Sequence, residues 1–418
     1  MDRDGHTRIE KGRGSKEPPA QPIRVAMLFP YFPPDYSGAG IQGERLAREL
    51  VRSGVDVQVL CPLHPGAVVP KRESRDGLRI RRFSVPAKDT ERKFSLGIKA
   101  AAWLARHSDW DLLHIHSFAY FAVLPSTLAR WRGRKVLVKT TLVGADDVPK
   151  PDGRPHHRLI VEAYRRVDAV VALSAELETG FRADPNFRGD VTRVPNGVDC
   201  HVFEPVTDDS RRAARERFGI DPQSFVVMTA GRLDFRKRVT DLIEAAGRTD
   251  RRPLTVLVAG PDSPFPEDRR LLTAAVQGVP EGVEVKQLGS LSLDRLREAY
   301  RAADAYVLAS SSEGMPNSVL EAMSTGLPCL ATDIPGSRDI LADAGGLLFP
   351  VGDVEALARE IELLARDPGR AREMGIRARA VAVSTYSMER IGERYESLYR
   401  SLLGGAFATD RPGEGSGR

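Results

Sequence analysis

Residues 305–323 read Ala305-Tyr306-Val307-Leu308-Ala309-Ser310-Ser311-Ser312-Glu313-Gly314-Met315-Pro316-Asn317-Ser318-Val319-Leu320-Glu321-Ala322-Met323. The apolar run Ala305–Ala309 has the length and composition of a buried strand. Pro316-Asn317 reads as a helix start, because proline's fixed φ and missing N–H suit the first turn. A buried strand feeding a helix through a Gly/Pro turn is the unit from which parallel α/β sheets are built. Two carboxylates ride on this unit, eight positions apart: Glu313 on the strand-to-helix loop and Glu321 about one turn inside the helix. Between them the free N–H groups of the helix N-terminus form an anion site. A carboxylate accepts from both hydroxyls of a diol. Two such acceptors flanking a phosphate cradle suit a sugar nucleotide, which has a diol at each end and a diphosphate between.

The same alternation extends in both directions. Before the linker Pro195-Asn196-Gly197-Val198-Asp199, the runs Arg24–Phe29, Val55–Leu60, Leu112–His116, Lys135–Val138 and Ala169–Leu173 read as strands. Helical patterns at Glu44–Arg52 and Phe121–Trp131 lie among them. After the linker the pattern restarts with Phe225–Thr229, Leu254–Val258, Val283–Gln287, Ala305–Ala309 and Pro328–Ala331. Helical stretches Asp353–Ala365 and Arg370–Ser384 follow, then an amphipathic helix from Ser387 to about Leu403. The fold class is therefore α/β, with two doubly wound, Rossmann-like parallel-sheet domains facing across a cleft. The expected division is a disordered leader (1–21), a first domain (22–198), a second domain (199–383), a final helix (384–403) and a disordered tail (404–418). A length of 418 residues fits two domains.

Composition narrows the class. Apolar content of 41% with 28% charged residues describes a soluble globular chain, and no run is long enough to span a membrane. The first 21 residues lack the apolar core of a signal peptide. Three scattered cysteines, Cys61, Cys200 and Cys329, neither pair into a framework nor space like zinc ligands, which points to a reducing cytoplasm. Net charge is +5, and the basic residues are interspersed with acidic ones rather than gathered with aromatics, so nucleic acid is not an expected partner. One basic group stands out: Arg79, Arg81, Arg82, Lys88, Arg92, Lys93 and Lys99, with Phe94 and Trp103 nearby. It reads as a solvated face, or as a contact with an anionic acceptor or an anionic membrane surface such as the inner face of the plasma membrane.

In open α/β sheets ligands bind beyond the carboxyl ends of the strands. The first strand runs into Pro33-Pro34-Asp35-Tyr36-Ser37-Gly38-Ala39-Gly40, where Gly38 and Gly40 either permit close approach to a phosphate or form a tight turn. Strand Phe225–Thr229 leads into Gly231-Arg232-Leu233-Asp234-Phe235-Arg236-Lys237. A small residue followed by spaced cations suits a diphosphate, with Arg232 forking to two oxygens and Lys237 acting as a point charge. His114 and His116 share one side of their strand. His114 reads as a buried structural histidine, and His116, at the carboxyl end, as a functional one. Asp109-Trp110-Asp111 has a D-x-D form but precedes its strand, away from the cleft. No nucleophile elbow, Walker-type phosphate loop or zinc helix is present.

Taken together these residues resemble the retaining glycosyltransferases of family 4, which have the GT-B fold. The resemblance spans roughly Ile23 to Leu403 and is sharpest in the E-x7-E motif, Glu313 to Glu321. Gly231-Arg232-Leu233 with Lys237, Pro195–Asp199, Ala302–Val307 and the Tyr386-Ser-Met-Glu-Arg helix support it; that helix is similar to the family's crossover helix, which packs on the first domain. The resemblance implies that Glu321 binds the donor ribose and Glu313 the transferred sugar. It implies that Arg232 and Lys237 neutralise the leaving diphosphate, with Gly231, Gly38, Gly40, Gly314, Met315, Pro316 and Asn317 around it. By the same resemblance Leu291 edges the base and His116 touches the donor sugar. The chain departs from the family at Gly38-Ala39-Gly40, where many members have Gly-Gly, and at Thr141-Leu142-Val143-Gly144, where many carry a histidine.

The implied reaction moves a sugar from a UDP-, GDP- or ADP-sugar to a hydroxyl of an acceptor glycan, lipid-linked sugar or small molecule, with retention. Fixed cations and a helix terminus can stabilise the departing diphosphate without a metal. Two rivals remain: a sugar-nucleotide epimerase on the same fold, and a non-catalytic subunit that only binds nucleotide sugar.

Overall fold

The computed structural model of the chain describes residues 22–35, 37–141 and 155–404. The leader 1–21, the tail 405–418 and the Leu142–Gly144 departure lie outside the described residues. Two sheets organise the rest. The first contains β1 (Arg24–Leu28), β2 (Asp56–Leu63), β3 (Arg72–Arg75), β4 (Leu78–Ser84), β5 (Leu112–His116), β6 (Lys135–Lys139), β7 (Ala169–Ala172) and β8 (Asp190–Arg193), in the order β3-β4-β2-β1-β5-β6-β7-β8. The second contains β9 (Phe225–Ala230), β10 (Leu254–Ala259), β11 (Val283–Gly289), β12 (Ala305–Leu308), β13 (Cys329–Thr332) and β14 (Leu347–Phe349), in the order β11-β10-β9-β12-β13-β14. Pairing is parallel except between β3 and β4.

Strand order decides where a ligand can sit. β1 lies between β2 and β5, and β9 lies between β10 and β12, so each sheet reverses its winding direction beside its first strand. At such a switch point the flanking loops part and leave a crevice. The loops that leave β9 and β12 are the ones carrying Arg232, Lys237 and Glu313.

Side chains of β1 alternate between two cores. Ala26 and Leu28 join the layer with Leu60 and Leu113, whereas Val25 and Met27 face Leu50, Val59 and the last helix. That helix, Met388–Leu402, sets Met388, Ile391, Tyr395, Leu398 and Tyr399 onto the first sheet, although it follows the second domain in sequence. Where the chain crosses, the Val198 N–H donates to Tyr386 O at 2.8 Å and the Met388 N–H to Val198 O at 3.0 Å, which ties the two crossings together. This is the GT-B architecture with its returning helix.

Several elements differ from the sequence reading. β3, β8 and β14 are short and polar or half-exposed, so alternation of apolar residues does not mark them. The first helix spans Gly38–Arg52 and begins six residues before Glu44, because the Ser37 side chain accepts from the Gly40 N–H and caps it. The three cysteines are free and buried.

Candidate active site

The carboxyl ends of the two sheets enclose a cleft of about 1210 Å³. From the second domain Gly231, Arg232, Lys237, Leu291, Glu313, Gly314, Met315, Asn317 and Glu321 line it. The opposite wall includes Gly38, Gln42, Arg45 and Lys139, and Asn196 of the linker.

The loop after β9 aims its cations inward. Asp234 caps a short turn at Phe235–Lys237, which folds Lys237 back over the strand end. Gly231 makes room for it: its φ is +144°, and a Cβ there would sit 2.9 Å from the Lys237 Cε. Lys237 Nζ then meets Glu313 Oε1 at 2.6 Å, so residues from two different strand ends converge on one point. Above that point begins the helix Asn317–Thr325, with Pro316 at its cap and its first N–H groups free of helical partners. Pro316 is buried and does not line the cleft.

Asn317 ties the helix start to the other domain. Its Nδ2 donates to Gly38 O at 3.1 Å, and its Oδ1 accepts from Asn196 Nδ2 at 2.9 Å. Asn196 in turn accepts at Oδ1 from Lys139 Nζ at 3.0 Å, and its backbone N–H donates to the Met315 sulfur at 3.1 Å. A continuous relay thus runs from the end of β6 through the linker to the cradle. Lys139 is 3% exposed, and burial pushes its ammonium down to about 8.

Glu321 is 6% exposed, and each of its oxygens has a partner. Oε1 accepts from Arg45 Nη2 across the cleft at 2.8 Å, and Oε2 from the Tyr300 hydroxyl at 3.0 Å. Burial and the Glu321 charge raise the Tyr300 phenol well above its usual value, which keeps it a donor.

Besides Pro316, two expected site residues do not reach the cleft. His116 is 2% exposed and packs on the sheet face beneath the last helix, 4.0 Å from the Phe29 ring and 4.3 Å from His114. Lys139, paired beside it on β6, occupies the floor instead. Burial holds both histidines well below their ordinary value, reinforced at His114 by the Lys139 charge and at His116 by His114 and Lys139. His114 Nδ1 lies 2.7 Å from the Tyr399 hydroxyl, a buried structural pairing. Gly40 is also off the lining. A Cβ there would fall 2.9 Å from Tyr31 O, so this glycine lets the helix pass close to the preceding loop.

The basic group on the first domain is largely neutralised in place. Arg79 pairs with Asp56 at 2.6 Å, Arg82 with Glu73 at 2.7 Å, Lys88 with Glu91 at 3.3 Å and Lys93 with Asp89 at 2.9 Å. Arg92 also contacts Asp89, and Lys99 the Ser84 carbonyl. Asp111 holds Arg24 at 2.7 Å at the amino end of the sheet, remote from the cleft. Among the described residues no three His, Cys, Asp or Glu side chains are grouped to hold a metal. No helix among them is long and apolar enough to cross a membrane.

Arg45, Lys139 and Asn196 are the site residues that sequence reasoning passed over. Asn196 stands in a linker phrase that was already conspicuous. Lys139 left one signal, a charge closing the apolar run Val136–Val138. Arg45 left none, because a helical arginine is ordinary until the facing domain is in place.

Comparison with known proteins agrees with this geometry. Residues 37–197 match the family model described as "Glycosyl transferase 4-like domain", and residues 210–381 match "Glycosyl transferases group 1". The chain is 28% identical to D-inositol 3-phosphate glycosyltransferase of Nocardia farcinica, over 95% of this chain and 93% of that protein. Sucrose-phosphate synthase from Thermosynechococcus elongatus superposes with a TM-score of 0.75 at 23% identity, covering 91% of this chain and 99% of that one. The Anabaena protein HepE, solved in complex with UDP-glucose, gives 0.70 at 18% identity, covering 91% and 100%.

Proposed function

Since the chain belongs to the retaining family 4 glycosyltransferases, which move a sugar from a nucleotide-sugar donor to an acceptor hydroxyl, we propose how its own residues divide that work. The observation that carries the reading is the meeting of Lys237 and Glu313 at 2.6 Å, at the switch point of the second sheet and below a free helix N-terminus. A diphosphate entering there gains Lys237, Arg232 and the helix-start N–H groups, while Glu313 is left to the transferred sugar.

The bond from the anomeric carbon to the phosphate oxygen breaks, and the bond from that carbon to the acceptor oxygen forms on the same face. The departing phosphate takes the acceptor's proton. Charge on the leaving group grows along this path, and Arg232 and Lys237 are fixed where it grows, so they favour the transition state over the bound donor. We assign Glu321 to the ribose, Leu291 to the edge of the base, and Gly38, Gly231, Gly314, Met315 and Asn317 to the walls around the diphosphate. The positive field of Arg232, Lys237 and the helix terminus makes a metal unnecessary. A UDP-, ADP- or GDP-sugar fits this site. Lys139 on the acceptor wall suits a small acceptor bearing negative charge, the class to which the phosphate named in the inositol relative belongs.

The test begins with thermal shift of the full chain against UDP-, GDP- and ADP-sugars, since a donor that binds only the folded state raises Tm. Transfer to sugar and polyol phosphates is then followed with excess chelator present, and the anomeric configuration is read by NMR. Retained configuration and chelator-resistant transfer are expected. Abolition by chelator with rescue by magnesium or manganese would overturn the metal-free mechanism. An isomerised donor formed without acceptor would establish the epimerase, and binding without turnover the non-catalytic subunit.

A further inference from the structure

The ribose carboxylate assigned above is not an isolated group. Arg45 lies on the first helix, 276 residues away in sequence, yet its Nη2 donates to Glu321 Oε1 at 2.8 Å. The pair is mostly removed from solvent, with side-chain exposures of 17% and 9%. Both members line the cleft. The guanidinium rests over the Phe203 ring at 5.6 Å, which fixes its plane. Its Nη1 is buried and has no hydrogen-bond partner among the described residues.

That last atom carries the argument. A buried charged donor left unpaired is costly, and folded proteins avoid it unless something else completes the bond. Glu321 has the complementary vacancy. A carboxylate offers about four acceptor positions, and among the described residues two are used, by Arg45 and Tyr300. Side by side, then, stand an unfilled donor from one domain and unfilled acceptor capacity from the other. A vicinal diol needs both, because each hydroxyl donates one proton and accepts on its oxygen.

We propose that Arg45 is the second half of the ribose site: Glu321 accepts from a ribose hydroxyl of the donor while Arg45, reaching from the other domain, donates Nη1 to the same diol. The nucleotide is thereby bound by both domains at once, with the guanidinium turning Nη1 from its buried position towards the diol. Arg45 is in this sense a specificity residue, reading ribose against deoxyribose. The inference rests on the assignment of Glu321 to the ribose.

Calorimetric titration of the full chain with UDP, GDP and ADP, each beside its 2′-deoxy form, tests both layers, using the diphosphate that the unaltered chain binds tightest. Arg45→Met should weaken that nucleotide on the order of tenfold, the usual effect of losing a hydrogen bond to a charged group, and should shrink the preference for ribose. Arg45→Lys, which keeps the charge but not the fork, should recover affinity only in part. Melting curves of both variants verify that they are folded. If Glu321→Gln weakens the nucleotide but Arg45→Met binds it equally or more tightly, with the ribose preference unchanged, Arg45 merely competes for the carboxylate. The inference then falls while the donor site stands. If neither substitution alters affinity, the ribose assignment itself is wrong and both fall.

Discussion

Replacing Lys139 with methionine should make the protein more stable and a poorer catalyst. Lys139 closes β6 at the cleft floor, is buried, and has its ammonium pushed down from the ordinary 10.5 to about 8 by loss of solvent. At neutral pH it still carries its proton, so folding must hold a desolvated charge. The displacement corresponds to about 3 kcal/mol. Methionine keeps a long unbranched stem and removes that cost, while forfeiting the 3.0 Å bond from the charged Nζ to Asn196, worth about 2 kcal/mol. A net gain of about 1 kcal/mol follows for Lys139→Met at pH 7.

The pH dependence fixes the sign independently. Between pH 8 and 10.5 the unfolded chain holds the proton that the folded chain releases, so the unaltered protein recovers stability as pH rises through that window. The advantage of the variant is therefore full below pH 8 and gone by about 10.5. Buried tyrosines, whose raised values destabilise the fold at high pH, act on both proteins and cancel in the difference. Urea unfolding of both at pH 7, 9 and 10 measures it. Turnover should fall, because Asn196 loses the cation that anchors it, and Asn317 loses part of its tie to the opposite wall. A variant less stable than the parent at pH 7, or a difference that does not narrow with pH, would refute the reasoning.

Further outcomes follow from the same geometry. Arg232→Ala and Lys237→Ala should each lower kcat on the order of 100-fold, since each removes a fixed cation from the growing diphosphate charge. Near-native kcat with saturating donor would place the leaving group elsewhere. Glu321→Gln should raise the donor KM more than it lowers kcat, because the ribose is remote from the breaking bond. Glu313→Gln should depress kcat with a smaller effect on donor binding, and steady-state kinetics with separate binding measurements would reveal the reverse pattern if the donor lay the other way round. His114 and His116 are held neutral, so their contribution to stability is complete above about 6.5 and is lost as pH falls below it. His116→Phe should flatten that slope while leaving turnover near native, and a large loss of turnover would put His116 back in the cleft.

Local chemistry made much of this protein legible before any fold was built. Apolar runs marked ten strands within a residue or two at most ends, because a strand buried on both faces must be nearly continuous in apolar side chains. The spacing of Glu313 and Glu321 across a Gly/Pro turn was readable because strand, loop and helix start are contiguous in the chain. Polar edge strands such as Arg72–Arg75 and Asp190–Arg193 escaped, since they are defined by hydrogen bonds to a neighbour rather than by their own composition. The histidine misled for a related reason. Alternation correctly put His114 and His116 on one side of β5, but which side faces the cleft depends on where the last helix lies, and that helix comes from the far end of the chain. The partners of charged groups were likewise undetermined. Arg45 and Glu321, or Lys139, Asn196 and Asn317, meet only because two independently wound sheets are set face to face. Sequence spacing encodes contacts within one turn or one strand. Contacts between domains are set by rigid-body packing, and so the residues that join the two walls of this site belong to the tertiary structure alone.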